Sequence, residues 1–66
     1  MKVEKIQVGK VNGNIFAILG ACRRAALHAG WSKEEWEIVL TKATEESEGY
    51  ENSLDTLRQH FEFDII

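Results

Sequence analysis

Residues 12–30 read NGNIFAILGACRRAALHAG, and the architecture follows from them. Asn12-Gly13-Asn14 is a turn signal, because asparagine side chains bond to nearby backbone amides and glycine tolerates a left-handed backbone. Beyond it, Ile15, Ile18, Leu19, Cys22, Ala26 and Ala29 recur at three- and four-residue steps, the spacing of one helix face. Phe16 and Leu27 broaden that face. The spacing predicts a helix over 14–29, capped by Asn14 or Asn12. Gly30 stops it from just past its end, where a left-handed conformation is easy for glycine. His28 sits in the last turn, where positive charge suits the helix dipole.

Upstream, KVEKIQV at 2–8 is rich in β-branched residues with partial alternation and reads as a strand ended by Gly9. Residues 10–13 then turn the chain. Downstream, Ser32 followed three residues later by Glu35 is a capping box, and Trp31 and Trp36 occupy the two positions of a hydrophobic staple. In this second helix Trp36, Val39, Leu40 and Ala43 form the inner stripe, and Lys33, Glu34, Glu37, Lys42 and Glu45 the outside. The acids at 45–48 oppose the negative end of its dipole, so it frays before Gly49. A third helix is predicted over 53–60, capped by Asn52 or Ser53, with Tyr50, Leu54, Leu57 and Phe61 on one side. Phe61-Glu62-Phe63-Asp64-Ile65 alternates apolar and acidic residues as a half-buried strand does. Its acids complement the lysines of the first strand, so the two strands pair. Their relative sense stays open. The expectation is one α+β domain over 1–66, a small β-α-α-α-β unit with two short strands packed on three helices.

Sixty-six residues form a core that is marginal without help from cross-links, a metal or self-association. A single cysteine allows no internal disulfide. Cys22, His28 and His60 have no metal-ligand spacing, so no metal and no cofactor is expected. Self-association is the remaining aid, and a two-stranded sheet with free edges points the same way. The net charge is −3 and the isoelectric point about 5.3, which disfavours nucleic acid as a partner. A free thiol without a cystine framework fits a cytoplasmic setting. Lys2, Lys5 and Lys10 ahead of an apolar run ending Leu19-Gly20-Ala21-Cys22 resemble a lipoprotein leader, but Glu4 and the polar 12–14 interrupt that pattern. No apolar segment reaches membrane-spanning length.

Gly20 in mid-helix costs up to about 1 kcal/mol relative to alanine. Two readings compete: tight packing within the domain, or close approach of a second subunit or a flat ligand. Ala17 and Ala21 flank it, and with Gly20 they are the expected oligomer contact. Gly13 and Asn14 open the helix where backbone amides can hold an anion. Arg23 and Arg24 can grip phosphate or carboxylate, or can simply pair with Glu34, Glu37 or Glu62. Trp31 and Tyr50 can stack a base, or can serve structure alone. Cys22 lies on the apolar face without a partner base and reads as a buried structural thiol. No catalytic residue is assigned, because so small a chain has little wall with which to exclude water from a pocket.

Four segments carry a resemblance. They are Asn14-Ile15-Phe16-Ala17-Ile18-Leu19-Gly20, then Arg23-Arg24-Ala25-Ala26-Leu27, then Ala29-Gly30-Trp31-Ser32-Lys33-Glu34-Glu35, then Gly49-Tyr50-Glu51-Asn52-Ser53-Leu54. With their Asn-x-Phe-x-x-x-Gly, Ala-Gly-x-Ser-x-Glu-Glu and Gly-Tyr-x-x-x-Leu patterns, the chain resembles a group of small bacteriophage and prophage proteins. The acidic stretch 44–48 is longer than the family pattern has there. What the resemblance implies is an anti-defence role in the host cytoplasm, as a sponge that traps a nucleotide signal or as a blocker of a host protein. The expected function is therefore a non-enzymatic, oligomeric binding protein that sequesters a small anionic, nucleotide-like ligand. In that reading Gly13, Asn14, Arg23, Arg24, Trp31 and Tyr50 are the ligand residues. The alternative is a protein–protein inhibitor or regulator that binds a host protein through its acidic helical face. Neither a nucleic acid nor a membrane is an expected partner.

Overall fold

A computed structural model describes residues 5–46 and 48–66. Residues 2–4 of the expected first strand, and Ser47, lie outside the described residues. The order is β1 (Ile6–Val11), α1 (Ile15–His28), α2 (Lys33–Thr44), α3 (Gly49–Arg58) and β2 (Phe61–Ile65), the expected β-α-α-α-β domain. The strands run parallel, with Ile6 opposite Phe61, Lys10 opposite Asp64 and Val11 opposite Ile65. A parallel pair needs a long crossover, and here all three helices supply it.

Gly9 does not end the first strand; it bends it. The register slips between Gln7 and Gly9, leaving Val8 as the extra residue of a β-bulge. Gly9 takes a φ of +94° there. Ile6 and Val8 face the core two residues apart, but the next inward residue is Val11, three further on. The bulge absorbs that odd step and keeps Lys10 outside. The turn to α1 consequently shrinks to residues 12–14.

Both asparagines of that turn are used in sequence. The Asn14 amide donates to Asn12 Oδ1 at 2.8 Å, and the Phe16 amide donates to Asn14 Oδ1 at 2.9 Å. Asn14 is therefore the N-cap. At the far end, the Gly30 amide donates to the Leu27 carbonyl and the Trp31 amide to the Ala26 carbonyl, with Gly30 at φ +98°. This is the Schellman closure that glycine permits. Helix α2 opens on the expected capping box, Glu35 amide to Ser32 Oγ at 3.1 Å and Ser32 amide to Glu35 Oε1 at 2.8 Å.

Helix α3 starts four residues before the expected 53. Asn52 and Ser53 do not cap it. Asn52 Nδ2 donates to the Glu48 carbonyl, and Ser53 Oγ to the carbonyls of Gly49 and Ala43. These are backward bonds of a residue already inside a helix, and the one to Ala43 ties α3 to α2.

Ile18, Cys22 and Ala26 of α1 meet Trp36, Val39 and Ala43 of α2, Leu54 and Leu57 of α3, and Val11, Phe61 and Phe63 of the strands. Phe61 is fully buried at the centre. Trp31 lies 5.4 Å and Trp36 6.0 Å from it, centroid to centroid, so the staple closes through a third ring. The Arg58 guanidinium sits 4.8 Å above the Phe63 ring.

Candidate functional site

Helix α1 buries one side and leaves the other open. Ile18, Cys22 and Ala26 point inward, while Phe16, Ala17, Gly20, Arg23, Arg24 and Leu27 are exposed. A Cβ built on Gly20 meets nothing within 4 Å. The reading of Gly20 as a tight packing position inside the domain is thereby excluded. Its missing side chain leaves a hollow on the outer surface.

That hollow continues into a groove between α1 and the end of β1. Ala17, Gly20 and Ala21 form its floor, and Lys10, Asn12 and Arg24 stand around it. Small residues on a helix expose a flat, low surface, and a lysine and an arginine place positive charge beside it. The groove thus suits a thin molecule with an anionic edge. Asp64 is the register partner of Lys10, an acid placed to compete for it.

The two arginines divide. Arg24 belongs to the groove, whereas Arg23 is turned about 100° further round the helix, onto the exposed ridge with Phe16 and Leu27. Gly13, Asn14 and Tyr50 gather at the start of α1, where the Tyr50 hydroxyl donates to the Gly13 carbonyl. There the Asn14 and Phe16 amides are already held by asparagine side chains. Trp31 lies past the other end of α1, a 14-residue helix and so roughly 21 Å away. Its ring is half-buried against His60 and Phe61. One chain therefore does not bring the six expected ligand residues into a single cleft; a ligand touching both groups would lie between copies.

Lys10 and Asn12 were not among the expected site residues. The signal for Lys10 was the three-residue step from Val8 to Val11, which a regular strand would not have. Ile38 was missed as well. It is 59% exposed on the outer side of α2, beside Glu34, Glu37 and Thr41.

Cys22 is wholly buried, and burial pushes its thiol up to about 12, which leaves it protonated and unreactive at neutral pH. The Ser32 amide and hydroxyl hold the Glu35 carboxyl below the ordinary carboxylate range. Among the described residues no group of three His, Cys, Asp or Glu could hold a metal ion. No helix among them is long and apolar enough to cross a membrane. Comparison with protein-family models, curated proteins and solved structures finds no match to this chain.

Proposed function

We propose that the protein is a non-enzymatic, self-associating binding protein that captures a small anionic, nucleotide-like ligand in the groove between α1 and β1. Capture is stoichiometric and the ligand is released unchanged. The observation that carries this reading is the open Ala17–Gly20–Ala21 floor with Lys10 and Arg24 beside it. A mid-helix glycine in open space gives the fold nothing and costs helix stability, so its use lies in what it admits. A planar base rests on the floor, and Lys10 and Arg24 take the phosphates. The antiviral-defence signal and the host cytoplasm are the setting supplied by the resemblance to small phage proteins, which rests on short motifs.

Calorimetry against a panel of cyclic mono- and dinucleotides tests the reading. Saturable binding is expected with at least one of them, with the ligand recovered intact by chromatography. Lys10→Ala and Arg24→Ala each weaken it by roughly tenfold, and Asp64→Asn strengthens it. Absence of binding across the panel, or consumption of the ligand, overturns it.

A second reading has one specific observation in its favour. Ile38 stands exposed among Glu34, Glu37 and Glu46, with Lys42 also beside it, an apolar point with acids in excess that fits a basic protein surface. On this reading the protein regulates a host protein through α2, and Arg24→Ala leaves that association unchanged.

A further inference from the structure

Charge in this chain is sorted by position. Residues 1–31 carry five lysines and arginines against one acid, and residues 32–66 carry three against ten. In the fold Lys10 lies opposite Asp64 in the sheet, while the open faces of α1 and α2 carry different charge. The ridge of α1 shows Phe16, 80% exposed, with Gly20, Arg23 and Leu27. The outer face of α2 shows Ile38 with Glu34, Glu37, Lys42 and Glu46, and Glu45 follows at its end. The first is an apolar ridge edged by arginine; the second is an apolar point where acids outnumber the cation beside it, Lys42.

We propose that copies of this chain assemble head to tail, α2 of one copy lying antiparallel on the α1 ridge of the next. Ile38 seats in the hollow at Gly20, where the missing side chain lets the helices come close. The charges then fall into step. Moving from Gly20 towards the end of α1 reaches Arg23 and Arg24 after about 4.5–6 Å. In the antiparallel neighbour the same direction leads from Ile38 to Glu34, about 6 Å away. In the other direction, Glu45 comes level with the turn before α1, whose first turn holds no acid and whose dipole favours one.

A parallel arrangement fails this test, because it sets Lys42 level with the two arginines. Pairing α1 with α1 fails it too, since four arginines would share one seam. The two surfaces used are different, so the contact is heterologous and yields a ring or an open chain of subunits. The seam shares Gly20 and Arg24 with the proposed groove, so a neighbour and a ligand exclude one another there; Arg23 and Glu34 lie outside the groove, and reversing them reads the seam alone.

Sedimentation of the full chain over a range of concentrations, with two charge reversals, tests the arrangement. The native protein is expected to form species several times its 7.5 kDa mass, and fewer of them at high salt. Arg23→Glu and Glu34→Arg each place like charges in the seam and weaken association at least tenfold. An equimolar mixture of the two variants restores it, because every seam then pairs opposite charges. Gly20→Trp fills the hollow and gives monomers with the helix content kept, since a Cβ at that position points into open space. A native protein that stays monomeric at every concentration overturns the proposal. So do single reversals that associate as the native protein does, or a mixture that fails to recover.

Discussion

The Tyr50 hydroxyl donates a hydrogen bond to the Gly13 carbonyl, joining two residues 37 apart in sequence. The bond locks the first turn of α3 against the turn that launches α1, and Ile65 closes on the same glycine. Tyr50→Phe keeps the ring and removes the bond. A loss of about 1 kcal/mol is expected, read as a lowered urea midpoint. An unmoved midpoint would deny the contact any structural weight.

Two glycines of the same helix region answer substitution with opposite signs. Gly20→Ala adds a methyl group where there is open space, so it stabilises the domain by up to about 1 kcal/mol. Gly30→Ala forces an L-residue into φ +98° and destabilises it by about 1–2 kcal/mol. Thermal melts of the pair decide the matter. A destabilised Gly20→Ala would mean that the hollow is filled by the fold itself.

The capping box of α2 carries a pH signature. Ser32→Ala is expected to lower stability by about 1 kcal/mol at neutral pH. Glu35 is held below its ordinary value by Ser32, so its contribution is present above the unfolded carboxylate range and fades as pH falls through the lowered value. The main contact is the Ser32 amide, which Ser32→Ala keeps, so the pH signature is read on Glu35→Gln. Denaturation at pH 7 and pH 3 should show a wider gap between native and that variant at pH 7. A gap that is constant or wider in acid would contradict the assignment.

Cys22 sets an alkaline limit. Its thiol ionises near 9 in the unfolded chain and is pushed up to about 12 by burial. The folded state thus holds the proton more tightly, and stability declines as pH rises between those values, by at most about 1.4 kcal/mol per unit. The Cys22→Ala variant starts less stable but loses this part of the slope. Parallel slopes for the two proteins above pH 9 would show the thiol to be accessible. Modification by a thiol reagent should likewise wait for unfolding.

The elements that announced themselves in the sequence did so through local chemistry. Asn14, Gly30 and the Ser32–Glu35 pair are signals read within one turn of chain, and each stands where its chemistry placed it. The alternation of Phe61 to Ile65 marked β2 for the same reason. What failed needed tertiary information. Gly9 read as a stop because a bulge shows only when the partner strand sets the register. Asn52 and Ser53 read as caps, yet their side chains bond backward along α3, one of them to α2. At the candidate site Gly20, Ala17, Ala21 and Arg24 were legible from helical spacing. Lys10 and Asn12 were not, because only the bulged strand lays them alongside α1.

The open side of α1 as the working surface is the claim on which the functional reading stands. Backbone amide NMR during titration with a cyclic dinucleotide tests it most directly, because it reports the position of contact residue by residue. Shifts are expected at Lys10, Asn12, Ala17, Gly20, Ala21 and Arg24, with Trp31 affected only where a neighbouring copy joins the site. No shifts at saturating ligand, or shifts confined to α2 around Ile38, would contradict it.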